Sequence, residues 1–439
     1  MSKVIYRAID EQKPTIINSK GCWLFPPQGG SLLDMSGSAC FSSLGYSNIE
    51  VIEAITDQLN VIPYAFSGYW ATETAERAAE LIAASFDKAN PGWFGKCIFL
   101  QTGGEAVDLA CKLAAQYHLE GGKHKFDILT RDYSFHGTAL LPFSLSGEYP
   151  RYRLIEEYHK ALLEYFIWHI PHPYNNTEAL KITKEQYNAR EYNGAMIIEP
   201  VSGPPLGTYV ETKEYMQGLR NICDEQDMLL IYDEVLCGAG RCGYMSTAEM
   251  YGVWPDITIL GKGISAGYQP VSVICLSEKV VDRIRKGSGR LMFGTTYSSH
   301  TAGCAAVEAT INYINKHELL RNIRGPLSYS YKEMLKETLE DIPCIKEIRG
   351  TGFLWGVEFH NPETGESFNP ELEFYAKARN AVMECGAVVY AKGGTVCGKG
   401  DFMTIAPPFE IMPNEFNQGL SMIRKGIELA YERMMNGHH

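Results

Sequence analysis

Through its middle the chain repeats one pattern: a short, almost wholly apolar run, a break rich in glycine or charge, then apolar residues at helical spacing. "KCIFLQ" leads into "TGGEAVDLACKLAAQYH", where Ala106, Leu109, Ala110, Leu113 and Ala114 recur every three or four residues and predict one face of a helix. "KFDILT" precedes "RDYSFHGTAL", and "GAMIIEP" closes on Glu199. "MLLIYDEV" follows the amphipathic stretch "TKEYMQGLRNICDEQ", "DITILGK" closes on Lys262, and "VSVICLS" reads as one more strand. Apolar runs without polar alternation are strands buried on both faces. Their exchange with helical stretches predicts an α/β fold, a mainly parallel sheet covered by helices.

The flanks are patterned differently. Residues 1–60 read as short strands and one helix, "SNIEVIEAITDQLN". After about residue 320 a helix ("LSYSYKEMLKETLEDI"), paired strands ("CIKEIRGTGFLWGVEFH") and a second helix ("ELEFYAKARNAVMECG") follow in order. This predicts a large domain over 61–320 and a smaller α/β domain assembled from both chain ends, 1–60 and 321–439. A chain of 439 residues is long enough for two or more domains.

Composition excludes more than it selects. Hydrophobic residues at 45% and charged residues at 21% describe a soluble globular chain, and no apolar run is long enough to span a bilayer. A net charge of −12 argues against a nucleic-acid partner, which needs a basic face. The 12 cysteines are scattered, with no CxxC pair and no metal-ligand spacing, so packed thiols in a cytoplasmic protein without a metal are expected.

In open α/β sheets ligands lie beyond the carboxyl ends of the strands, so Glu199, Asp233 and Lys262 are expected to share one crevice with the loops "TGGEA" and "SFHG". Taken singly, each has a plainer reading. Gly103 and Gly104 fit an ordinary strand-to-helix turn capped by Thr102 as well as a phosphate cradle. Asp233 fits a structural carboxylate and Lys262 a surface lysine. "GKG" at 261–263 fails as a nucleotide P-loop, with Asp256 where glycine belongs and Gly263 where serine or threonine belongs. Taken together, a strand-end lysine, a strand-end acid and an anion cradle suit pyridoxal 5'-phosphate, which needs an amine, a charge to keep its ring nitrogen protonated and a phosphate site.

These segments resemble those of the class III aminotransferases of the amine:pyruvate type, fold-type I enzymes dependent on pyridoxal phosphate, and the likeness spans nearly the whole chain. The resemblance implies that Gly103 and Gly104 contact the phosphate and that Phe135, in "FHG", stacks on the ring. It gives Glu199, in "IIEPVSG", the support of the aspartate, Asp233 the ring nitrogen and Val235, in "DEV", the opposite ring face. Lys262 becomes the Schiff-base residue and proton shuttle. Thr296, in "FGTTYSSHTAG", reaches the phosphate of the neighbouring subunit, which implies a homodimer with shared active sites. The implied partners are an amine or ω-amino acid donor and a small 2-oxo acid acceptor in a ping-pong reaction. Decarboxylases, racemases and aminomutases of the same fold use the same residues and form the alternative.

Two departures narrow the acceptor. Members that use glutamate carry a glutamate after the "EPxxG" stretch and an arginine before "xPP"; here those places hold Pro204 and Thr404. Loss of both points to pyruvate. No arginine lies between Arg379 and Arg424, leaving Lys392 and Lys399 as counter-charges for a carboxylate or as solvated loop lysines. Tyr64, Phe66, Tyr69 and Trp70 read equally as substrate-pocket lining or as core and dimer packing.

Overall fold

The computed structural model describes residues 3–6, 13–147, 166–174, 176–187, 191–396 and 399–436. At its centre is a seven-stranded sheet in the order β4-β12-β11-β10-β7-β5-β6. Its strands are β4 (Phe94–Leu100), β5 (Asp127–Arg131), β6 (Ile167–Ile170), β7 (Asn193–Ile198), β10 (Leu229–Glu234), β11 (Ile257–Leu260) and β12 (Ser272–Ser277). Every neighbouring pair is parallel except those made by β12, which runs antiparallel to both β11 and β4. The carboxyl ends of six strands therefore share one edge, and β12 brings its amino end to it.

Alternation along each strand serves two cores. Ile231 and Ile259 pack with Ala106, Leu109 and Leu113 of the helix Gly103–Glu120, while Leu230 and Tyr232 pack on the other face with Met216 and Leu219 of the helix Lys213–Glu225. Burial on both faces is what the unalternated apolar runs encode.

The two chain ends meet in a separate core. Three short strands, β1 (Asn18–Lys20), β2 (Trp23–Phe25) and β3 (Leu32–Asp34), form a sheet whose fourth member, β15 (Ala387–Val388), comes from the far end of the chain and pairs parallel with β3. A second sheet joins β13 (Ile345–Thr351), β14 (Leu354–Phe359), β17 (Lys399–Ile405) and β16 (Tyr390–Val396) in that order, and β8 (Val201–Ser202) pairs with β9 (Tyr209–Val210) in a two-stranded ribbon. Leu33, Met35, Val51, Trp355, Phe374, Phe416 and Leu420 pack in one cluster, to which Ala302 and Ala306 of the helix Thr301–Lys316 also belong. The final helix, Pro413–Met435, was not anticipated from the sequence; it opens with proline in its first turn and closes this core.

Among the described residues no helix is long and apolar enough to cross a membrane. All their cysteines are free thiols, and all but Cys97 and Cys385 are buried.

Candidate active site

At the shared strand edge lies a cavity of about 250 Å³. Gly103, Gly104, Phe135, Glu199, Asp233, Val235 and Lys262 all line it, with Phe41, His136, Pro204, Pro270 and Val271 among their neighbours. Thr296, expected at the neighbouring subunit's phosphate, is exposed and lies outside this cavity, and its carbonyl accepts a hydrogen bond from Tyr64 Oη at 2.6 Å. The structure thus brings together seven of the positions singled out in the sequence and leaves Thr296 on an outer face.

Each element delivers its side chain for a local reason. The helix Gly103–Glu120 starts immediately after β4, with Thr102 as its N-cap; the Thr102 hydroxyl accepts from Glu105 N at 3.2 Å. The first N–H groups of a helix have no intrahelical partner, so those of Gly103 and Gly104 form a positive site at the cavity wall. Glycine is required at 103 because a Cβ there would stand 2.9 Å from both methyl groups of Val235.

Asp233 sits one residue before the end of β10 and faces the cavity, whereas the next residue, Glu234, points the other way. Glu234 is fully buried, accepts a hydrogen bond from Thr247 N at 2.6 Å, and is pushed up to about 7 by burial. Asp233 is held on both oxygens: Oδ1 accepts from Val235 N at 3.1 Å, and Oδ2 meets His136 Nδ1 at 2.7 Å. His136 Nε2 in turn lies 3.2 Å from Thr130 Oγ1. The motif "FHG" points to Phe135 alone, whereas the buried His136 next to it grips the aspartate.

Glu199 follows the last residue of β7, and its Oε2 accepts from Phe135 N at 2.9 Å, tying the ring's backbone to the sheet edge. Behind it, the wholly buried Arg131 donates to the Glu199 carbonyl and pairs with Glu211, whose carboxylate also meets His172 Nε2 at 3.1 Å. Arg131 and Glu211 lie 80 positions apart, and no local pattern advertises the pair.

Lys262 does not end its strand. β11 stops at Leu260, the chain passes Val235 through Gly261, where a Cβ would come within 3.0 Å of a valine methyl, and Lys262 opens a short 3-10 turn with a φ of 41°. A left-handed lysine is rare outside glycine-like positions, and such strain collects at functional sites. It is the only lysine or arginine among the described lining residues.

The remaining cations and aromatics fall into place around the cavity. Lys392, on β16, lies 6.0 Å from the centroid of the Phe135 ring. Pro204 lines the cavity, and Thr404 is buried on β17 away from it. None of Tyr64, Phe66, Tyr69 and Trp70 lines the cavity of the single chain, and Tyr69 and Trp70 are 79% and 68% exposed.

The parallel sheet edge thus gathers an amine, a hydrogen-bonded carboxylate and an open helix N-terminus around one cavity. The chain matches the family Aminotransferase class-III over residues 6–427 and belongs to it. It is an aminotransferase, and its family depends on pyridoxal phosphate. An aminotransferase of Bacillus subtilis, YodT, is 31% identical over 438 residues, covering 97% of each chain. The vanillin aminotransferase of Capsicum annuum is 29% identical, covering 97% of this chain and 93% of its own. A transaminase of the marine bacterium Virgibacillus superposes with a TM-score of 0.88 at 24% identity, over 97% of this chain and 95% of the other, which gives the fold-type I architecture.

Proposed function

We infer that this aminotransferase moves an amino group from an amine or ω-amino acid to a small 2-oxo acid, pyruvate, in two half-reactions with pyridoxal 5'-phosphate held in the 250 Å³ cavity. The lining residues fit that cofactor. The open N–H groups of Gly103 and Gly104 suit a phosphate, Asp233 suits a protonated ring nitrogen, Phe135 and Val235 supply apolar faces, and Lys262 supplies the amine. When bound, the cofactor acts as the electron sink that makes a substrate C–H acidic. Lys262 then takes the proton from the substrate carbon and returns it, while Asp233, fixed by His136 and Val235, keeps the opposing charge in place.

The observation that carries the acceptor reading is the absence of any lysine or arginine besides Lys262 among the described lining residues. 2-Oxoglutarate brings a second carboxylate that must be paired once water is excluded, whereas pyruvate presents a methyl group there. Pyruvate should be preferred by at least roughly tenfold in specificity, about 1.4 kcal/mol of differential transition-state binding. Single-turnover rates with each oxo acid, starting from the aminated enzyme, test this. Equal rates, or faster reaction with 2-oxoglutarate, would mean that another cation, with Lys392 the first to examine, has taken the arginine's place.

The same reading includes assembly. Segments 61–70 and 291–297 expose Val61, Tyr69, Trp70, Met292 and Tyr297, and they are stitched together by the Tyr64 bond to Thr296 and by Tyr64 packing edge-on against Tyr297 at 5.8 Å. An apolar face of this kind beside Thr296 supports a symmetric homodimer in which Thr296 completes the neighbour's phosphate site. The small domain from 1–60 and 321–439 and the large one over 61–320 belong to this picture, supported by the core the two chain ends share. Light scattering should find a dimer, with cofactor affinity falling on dilution into monomers. A fully loaded, active monomer would exclude the shared site.

A further inference from the structure

Two carboxyl residues, Glu199 and Asp233, line the same cavity. Tyr232 of β10 pairs with Ile198 of β7, so the next step along these parallel strands sets Asp233 level with Glu199. Both line the cavity, and they are only 4% and 5% exposed. Their surroundings differ. Asp233 has His136 Nδ1 at 2.7 Å on one oxygen and a backbone N–H on the other.

Glu199 has a single hydrogen bond, from Phe135 N to Oε2, and Oε1 has no partner among the described residues. That second oxygen faces Gly203, lying 3.4 Å from where a Cβ on the glycine would stand. The nearest guanidinium, Arg131, touches the Glu199 main-chain carbonyl rather than its carboxyl, and its charge is already answered by Glu211. Lys262 shares the cavity, but the reading above commits its amine to the cofactor.

Of two carboxyls buried in one cavity, the one with fewer hydrogen-bond donors holds its proton more readily. Burial is the largest influence on Glu199 and raises it; neighbouring Asp233 adds to the rise, while His136, the Phe135 N–H and Arg131 oppose it. The hydrogen-bond pattern also assigns the proton's place. Oε2 must accept from Phe135 N–H, so the proton belongs on Oε1, the oxygen with no other partner.

We propose that Glu199 is a neutral carboxylic acid in the working enzyme and donates a hydrogen bond through Oε1 to an anionic or carbonyl oxygen of the group bound in the cavity. Ionised, Glu199 would repel such an oxygen beside the Asp233 carboxylate. Protonated, it lets one wall of the cavity serve a cationic ring nitrogen through Asp233 and an electron-rich oxygen through Glu199. The identity of that oxygen rests on the pyridoxal-phosphate reading; the protonation state does not.

The experiment is an infrared difference spectrum of the full-length protein, wild type minus Glu199→Gln, at neutral pH with and without pyridoxal phosphate. A protonated-carboxyl C=O band present in wild type and lost in the variant is the expected result, and a carboxylate band in its place would overturn the proposal. Pyridoxal-phosphate affinity provides the second arm. Glutamine is neutral and can donate from the same position, so it should hold affinity within ~3-fold, whereas Glu199→Ala should weaken it by ~10-fold. Equal losses in both variants would overturn the donor role. Failure of the wild type to bind pyridoxal phosphate would sink the cofactor reading and leave the protonation state to the infrared arm.

Discussion

Replacing Lys262 by alanine should leave a folded protein that binds cofactor but transfers amino groups slower by roughly 10²- to 10⁴-fold, the contribution of one positioned acid–base group. The side chain is half-buried, lines the cavity and belongs to none of the hydrophobic clusters, so its removal opens space without unseating a core. Its backbone is held left-handed between Gly261 and the turn that follows, and alanine at that φ of 41° bears the same strain as lysine. Stability should therefore change little while chemistry collapses. Borohydride treatment of wild type should leave label on the peptide containing Lys262 and on no other; label on a different lysine, or a variant within tenfold of wild type, would remove Lys262 from its role.

The strands that build the site were legible because their encoding is local. Ile231, Ile259 and Ile197 are buried from both sides, so each strand appears as a mainly apolar run with polar or glycine residues at or just past its end. The helix after β4 was legible for the same reason, its five apolar positions all reappearing in the core. What stayed hidden is held by contacts between distant positions. His136 grips Asp233 across 97 residues, and Arg131 reaches Glu211 across 80; periodicity carries no trace of either.

Lys262 illustrates a finer limit. The apolar run ends with the strand at Leu260; Gly261 stays extended against Val235, and the chain turns at Lys262 itself. The last helix was readable in principle. Phe416, Leu420, Ile423 and Ile427 recur at helical spacing behind Pro413, and Glu415 Oε2 accepts from Met412 N at 3.0 Å where the helix starts. For Tyr69 and Trp70 the sequence is silent in a different way, since an aromatic run looks the same whether its own core or a second copy covers it.

Asp233→Asn is the sharper test of the site because it changes charge with almost no change of shape. In wild type the carboxylate takes one bond from Val235 N and one from His136 Nδ1. Asparagine can keep both by accepting from Val235 and donating to His136, provided the imidazole moves its hydrogen to Nε2, where Thr130 Oγ1 waits at 3.2 Å. The fold should survive, with melting shifted by no more than a few degrees. What disappears is the negative charge, only 4% exposed, that would face the ring nitrogen of the proposed cofactor. Breaking a buried ion pair by removing one partner costs about 3–5 kcal/mol, so the single-turnover rate with an amine donor should fall by ~10²- to 10⁴-fold. Cofactor binding should weaken far less, because the phosphate cradle at Gly103 and Gly104 and the amine of Lys262 are untouched. A variant that transfers at near wild-type rate would make Asp233 a structural cap for the Val235 turn, and the charge the reaction needs would have to come from Glu199 instead, ionised rather than neutral.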